Sequence, residues 1–305
     1  MTAAVSSAAA SPPRARANLI AAITTMVAVW ASAFVAIRFA DRELSAGALA
    51  LGRLLVGSIA LGLLVVARRE PLPSRRELGG VVICGLLWFG VYNVALNAAE
   101  QRVDAGTAAM LVNIGPILIA ILAGAVLHEG FPPRLFAGCL VSFAGVVMIG
   151  VATSQHGLHE SLGAVLCLVA AVAYAGGVVA QKPVLRTASP LSVTWLACTV
   201  GAISCLPYAG SLVHDLGHAG SSTILWMVYL GLAPTAAGFV LWAYALARTT
   251  AGKMGSTTYL VPPLAVLFGW MFLSEVPPAL VLPGGILCLA GVALARTRGR
   301  RSNLQ

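Results

Sequence analysis

The chain has 305 residues, 59% of them hydrophobic and only 10% charged, with 32 glycines and a mean hydropathy of +0.91. A water-soluble domain of this length could not hide so much apolar surface, and the apolar residues come in blocks of roughly 20, enough to cross a ~30 Å hydrocarbon core. Lys and Arg outnumber Asp and Glu by 19 to 10, yet their placement, given below, points to a bilayer and excludes a nucleic-acid binder.

Ten spans are expected, at 18–38, 44–67, 78–99, 105–127, 132–152, 161–181, 190–212, 222–247, 251–273 and 279–296. Ahead of the first, Arg14 and Arg16 followed by Ala31-Ser32-Ala33 imitate a cleaved signal peptide. The apolar run is longer than a usual signal core, so the span is expected to be retained. Span one carries Trp30. Span two carries Arg53 about nine residues in, roughly 13 Å deep at 1.5 Å per residue. A charge there costs on the order of 3 kcal/mol even on a lenient scale. It must face the interior and meet backbone carbonyls, a helix-end carboxylate or an anionic substrate. The joint RREPLPSRRE (68–77) breaks the chain with prolines and charge.

Span three carries Tyr92, Asn93 and Asn97; the two asparagines, four apart, can share a helical face, whereas Tyr92 and Asn93 cannot. Span four places Asn113 three residues before Pro116. Loop histidines follow, at His156 and His159-Glu160, then Tyr174 in span six. The joint after span seven holds His214-Asp215 and His218, an i,i+4 pair that suits a metal only on a helix; solvated loop histidines are the ordinary reading, and no metal is assigned. Trp242 lies inside span eight. Span nine repeats the earlier arrangement, with Tyr259 three residues before Pro262. The six cysteines all fall inside spans without a CxxC and read as small apolar core residues.

Counting Lys and Arg from a cytoplasmic N-terminus places 15 inside and three outside (Arg38, Arg42 and Arg102), with Arg53 in a span. That asymmetry is a positive-inside signature with both termini cytoplasmic in the cytoplasmic (inner) membrane. All ten acidic residues lie at span ends or in joints. No carboxylate relay therefore runs through a span, and proton coupling, where it operates, has to use an end residue such as Glu100, Asp104, Glu129 or Glu275.

The chain also repeats. Sliding it by 146 positions superimposes Ala105-Gly106 on Ala251-Gly252, Pro116 on Pro262, Glu129 on Glu275, Gly138 on Gly284 and Ala144-Gly145 on Ala290-Gly291. Residues 104–150 and 250–296 share 11 identities without a gap. A shift of 144 brings Trp30 onto Tyr174, Arg38 onto Lys182 and Gly57 onto Gly201. Each copy holds five spans, an odd number, so the second must start on the opposite face. The fold class is an all-α polytopic membrane protein of ten helices, two inverted five-helix repeats around a central cavity. Its domains run 1–17 (tail), 18–152 (first repeat), 153–297 (second repeat) and 298–305 (basic tail). Inverted repeats recur in secondary transporters because two like halves can exchange conformations around one site.

"VWASAFVAIRFA" in span one, the arginine of "LALGRLLVGSIAL" in span two, and the twofold series Pro116…Glu129…Gly138…Gly145 and Pro262…Glu275…Gly284…Gly291 resemble the EamA family of the drug/metabolite transporter superfamily, with Ala31 where the family usually has Gly. The resemblance spans about 18–297. It implies ten helices around a central cavity and the movement of small metabolites, without naming one.

The candidate substrate-binding residues are Trp30, Arg53, Asn93, Asn97, Asn113, Tyr174, Trp242 and Tyr259, with Pro116 and Pro262 as gating hinges, because proline removes a backbone hydrogen bond and clashes with the preceding turn. The expected function is secondary transport of an amino-acid-like or related small molecule, in the export direction, by alternating access. A channel would show pore-lining charge or carbonyl motifs, and a membrane enzyme would cluster His, Asp or Cys at one depth; neither pattern is present. No Walker A sequence or dinucleotide fingerprint in its required context occurs, so ATP-driven transport would require a partner; no cofactor and no enzymatic activity are expected.

Overall fold

The computed structural model describes residues 13–102, 111–153, 161–273 and 279–297. Asp104, His156, His159, Glu160 and Glu275 lie outside the described residues, as does the tail 298–305. Everything described is helix or connecting turn, with no strand among the described residues. The helices are α1 (Pro13–Ala40), α2 (Ala46–Arg68), α3 (Arg75–Glu100), α4 (Gly115–Val126), α5 (Pro133–Thr153), α6 (Ser161–Val184), α7 (Pro190–Ser204), α8 (Ala209–His218), α9 (Ser221–Arg248), α10 (Ala251–Ser256), α11 (Val261–Leu273) and α12 (Val281–Arg296). Five of them (α1, α2, α3, α6 and α9) are long and apolar enough to cross a membrane, and α7 with the stretch Leu206–His218 makes a sixth if that bent pair is one span. Large apolar side chains point outward along the bundle, Leu63 at 68% exposure and Leu282 at 75%, as lipid-facing positions do.

The breaks have local causes. Pro207 has no N–H and clashes with the turn before it, so the chain bends by 53° after Ser204. The helix then resumes as α8, and the expected loop at His214 to His218 is helical. Pro116 sits in the first turn of α4, where a missing N–H costs least. Pro262 occupies the equivalent place in α11, just after the 3₁₀ turn Thr257–Leu260. Both prolines thus follow a break in the chain rather than kink a continuous helix. Two π turns, Gly85–Val91 within α3 and Gly231–Gly238 within α9, begin 146 residues apart, the repeat offset.

The most extensive helix pairing joins α5 to α12 and is built on glycine. A methyl group at Gly145 would come within 2.5 Å of the Gly284 carbonyl oxygen, and one at Gly138 within 2.5 Å of that of Gly291. Only glycine permits this approach. Gly138 corresponds to Gly284 and Gly145 to Gly291 in the repeat, so each contact is the mirror of the other. At the crossing point Ser142 Oγ donates to the Cys288 carbonyl at 3.1 Å, and Cys288 Sγ donates to that of Ser142 at 3.5 Å; these residues too are 146 apart. On the other side of the bundle, Cys198 Sγ donates to the carbonyl of Leu54 at 3.4 Å, its own counterpart at the 144 offset.

One buried cluster fills the interior of α1, α2, α3, α6, α7 and α9 around Met26, Leu51, Trp88 and Trp242. A second lies under the α5–α12 seam around Cys139, Val146, Tyr259 and Cys288. The helix ends that carry Arg68, Arg75, Lys182, Arg186 and Arg248 gather at one end of the bundle, referred to below as the basic end. The ends at Ala40, Ser45, Glu100 and Ser221 form the far end.

Candidate functional site

The two π turns build the centre of the molecule. A π turn widens the helix and leaves carbonyls that the ordinary i→i−4 pattern would occupy. In α3, Asn93 Nδ2 donates to the carbonyls of Phe89 at 2.9 Å and Trp88 at 3.3 Å. In α9, Pro234 supplies no N–H, and its carbonyl accepts from Trp30 Nε1 at 3.1 Å. The next residue, Thr235, presents Oγ1 to Arg53 Nε at 3.0 Å. Arg53 is 6% exposed. Among the described residues Thr235 is its one hydrogen-bond partner, and the guanidinium helps to line the central cavity.

That cavity encloses about 870 Å³ of empty space, its opening included. Trp30, Trp88, Tyr174 and Phe239 form an aromatic floor, Arg53, Asn93, Asn113 and Thr258 add polar groups, and Ile37, Leu96 and Glu100 carry the lining to the far end. The floor is a continuous set of ring contacts, with centroids 4.7 Å apart for Trp88 and Phe239, 5.2 Å for Trp88 and Tyr174, and 5.3 Å for Trp30 and Phe239. Such edge and tilted contacts hold the rings rigid and leave a mostly apolar surface with few polar groups, the usual make-up of a small-molecule pocket.

Of the eight candidate binding residues, the structure brings five to this cavity: Trp30, Arg53, Asn93, Asn113 and Tyr174. Trp242 stacks behind Trp30 at 5.4 Å, fully buried. Asn97 turns the other way, donating to the Ala46 carbonyl at 3.1 Å. Tyr259 lies under the α5–α12 seam. Tyr92 and Asn93, though adjacent, both line the cavity, because its wall takes in a wide arc of α3. Sequence reasoning passed over Trp88, Phe239, Thr235 and Thr258. The available signal was the coincidence of Gly85 with Gly231 at the repeat offset and a proline, Pro234, in the middle of an apolar span.

Two charged side chains tie helix ends together at the basic end. Lys182 Nζ donates to the carbonyls of Leu246 and Thr249, both at 2.6 Å, at the C-terminus of α9. Glu129 accepts from the N–H groups of Ala251 at 2.9 Å and Gly252 at 3.4 Å, at the N-terminus of α10. Each charge sits on the helix end whose dipole it complements. The turn that aims Glu129 is local: His128 is left-handed at φ 58°, and the Glu129 N–H returns to the Ala123 carbonyl at 3.2 Å, which closes the end of α4 through a left-handed residue.

Further ties appear at both ends. At the far end Glu43 accepts from the Gly220 N–H at 2.8 Å, and the Thr223 hydroxyl foremost, with that N–H, holds its carboxyl below the usual range. At the basic end Glu77 accepts from the Thr187 hydroxyl. Position 187 is the repeat counterpart of 43, and 223 that of 77, so the same tie recurs with acid and hydroxyl exchanged. Asp215 accepts from Ser45 N–H and Oγ at 2.9 and 2.8 Å, and is spent there. His214 and His218 share a face of α8 with rings 4.8 Å apart, but no group of three metal-ligating side chains forms among the described residues.

Comparison with known proteins gives a consistent result. The model of the EamA-like transporter family matches residues 18–151 and 161–297. A probable terminal-alkyne amino-acid exporter of Streptantibioticus cattleyicolor is 38% identical, over 92% of this chain and 94% of its own length. An uncharacterized transporter of Bacillus subtilis is 30% identical, over 91% of this chain and 90% of its own. A crystal structure that covers 92% of this chain and 96% of its own superimposes with a TM-score of 0.74 at 19% identity, a likeness of fold.

Proposed function

We propose, from the premise that this chain belongs to the EamA-like transporter family, that it is a secondary transporter exporting a small amino-acid-like metabolite across the cytoplasmic membrane by alternating access. It is an integral membrane protein that handles a small molecule, as its family and relatives are. Its repeats would run 18–152 and 153–297, inverted relative to each other, each contributing five membrane helices, with both termini cytoplasmic. The observation that carries this reading is the reciprocal packing of the halves. Ser142 and Cys288, counterparts in the repeat, exchange hydrogen bonds between antiparallel helices, as residues on a two-fold axis lying in the membrane plane would.

The cavity between the halves supplies the site, with Trp30, Arg53, Asn93, Asn113 and Tyr174 on its wall and Asn97, Trp242 and Tyr259 supporting it from behind. It reaches the far end and is closed at the basic end by Lys182 and Glu129, the arrangement of a carrier open to one side. A channel would be continuous instead. The breaks before Pro116 and Pro262 are the natural hinges for the exchange of gates. The export direction and amino-acid-like substrate draw on the relative named as an exporter.

Reconstitution into liposomes tests the mechanism. A carrier gives counterflow, in which labelled substrate accumulates against unlabelled substrate on the opposite side; simple equilibration at high flux would identify a channel. Labelling of Leu72→Cys in a cysteine-free background tests orientation, and modification from outside the cell would reverse it.

A further inference from the structure

Arg53 has a counterion candidate that the hydrogen bonds leave unused. Glu100, the last residue of α3, lines the same cavity. Its Oε1 is shut from solvent and has no hydrogen-bond partner. Arg53 and Glu100 act on each other electrostatically, and Arg38 and Asp41 act on Glu100 from the end of α1 and the turn after it. No ion pair joins Arg53 to Glu100 among the described residues: the guanidinium is held by Thr235 on α9, and the carboxylate stands apart at the far end of the wall. Two opposite charges thus face one cavity, separately positioned, above an apolar aromatic floor. Leaving such groups buried and unpaired is costly, and a ligand that meets both recovers that cost.

We infer that Arg53 and Glu100 are the two poles of a zwitterion subsite, Arg53 taking a substrate carboxylate and Glu100 its ammonium, while the Trp30–Trp88–Tyr174–Phe239 floor takes an uncharged, apolar side chain. This rests on the transport reading of the same cavity and makes Glu100 a specificity-determining residue. The guanidinium offers a planar fork of donors suited to a carboxylate, and the carboxylate of Glu100 has acceptor capacity for an ammonium. A ligand lacking either charge would leave one pole buried and unpaired, and such mismatches discriminate more strongly than apolar fit does. The aromatic floor matches an apolar side chain and offers an anionic one no partner of its own.

The test uses the full-length protein in lipid nanodiscs, with quenching of intrinsic tryptophan fluorescence as the readout. The probes are L-norvaline, L-leucine and L-phenylalanine, then the N-acetyl derivative and the methyl ester of whichever binds most tightly. The wild-type protein should prefer the zwitterion over each one-charge analogue by tenfold or more. Glu100→Gln should abolish the discrimination against the N-acetyl form and Arg53→Gln that against the ester. Glu100→Asp, which keeps the charge, should retain most of the wild-type preference. Equal affinity of the wild-type protein for the N-acetyl form overturns the inference without any variant. So does a Glu100→Gln protein that loses affinity for all probes alike, or the failure of every zwitterion to bind. Counterflow of extracted cell metabolites through the same protein judges the transporter reading separately, since a carrier of some other class would pass that assay and fail this one.

Discussion

The α5–α12 seam and the cavity floor are both places where the two copies of the repeat face each other, and they treat the repeat in opposite ways. Along the seam, Gly138 and Gly145 meet Gly291 and Gly284 in matching contacts. Around the cavity the counterparts differ: Trp30 against Tyr174, Trp88 against Pro234, Asn93 against Phe239, and Arg53 against Ala197. Backbone packing around a two-fold axis is satisfied by two-fold residues. A metabolite has no such axis, and the two charged groups on the cavity wall, Arg53 and Glu100, both belong to the first copy. The repeat therefore survives where the halves touch each other and is lost where they touch something else.

The largest expected effect falls on the seam. Gly145→Leu and Gly291→Leu should each destabilise the protein by about 3 kcal/mol, the upper range for overpacking. Thermal unfolding in detergent should show nearly equal losses from the two. A seam that tolerates the change in one copy and not in the other would break the comparison.

Next comes the closed end. Lys182→Met combined with Glu129→Gln removes charged hydrogen bonds of about 1.5–3 kcal/mol each. A single cysteine at Ser256, buried in the present state, should then be modified from the basic side about tenfold faster, as a shift of about 1.4 kcal/mol would give. Arg38→Met, at the repeat counterpart of Lys182, should leave that rate unchanged. An equal rise from both changes would mean that labelling reports general loosening rather than one gate.

Asn93→Leu tests the asymmetry on the cavity side. It strips the Trp88 and Phe89 carbonyls of their donor at a cost of about 1–3 kcal/mol, whereas Phe239→Leu at the counterpart leaves no polar group unpaired and should cost less. Equal losses on thermal unfolding would argue that the two π turns are equivalent after all.

The smallest effect concerns the paired surface ties. The folded pKa of Glu43 is depressed, so its contribution is present above the unfolded carboxyl pKa and is lost as pH falls through the lower, folded value. Acid titration of stability should show a shallow decline there that Glu43→Gln flattens. The group is exposed, so the change should be small.

How much of this was legible beforehand follows the same division. The long helices, the inward-facing Arg53 and the twofold pattern of prolines and glycines could be read because period, charge and small residues carry them directly, but the breaks inside the expected spans 190–212 and 251–273 could not. Trp88 was invisible, because an aromatic in an apolar span looks like any core residue until a π turn directs it. Glu100 was noted only as an acid at a span end, and nothing in its neighbours along the chain tells that α2 delivers Arg53 to the same cavity. Tyr259 was misleading for the opposite reason: its repeat partner Asn113 reaches the cavity, but symmetry of position is not symmetry of use.

The crossing of α5 and α12 shows how a duplication can outlast its spelling. Ser142 and Cys288 count as a mismatch in any tally of identities. At that crossing they are the same device, a short side chain with one hydrogen to give, each handing it to the other's carbonyl. A duplicated gene is free to drift from hydroxyl to thiol there without either helix having to move. Ancestry in such a molecule is better traced through what the paired positions do for each other than through the letters they share.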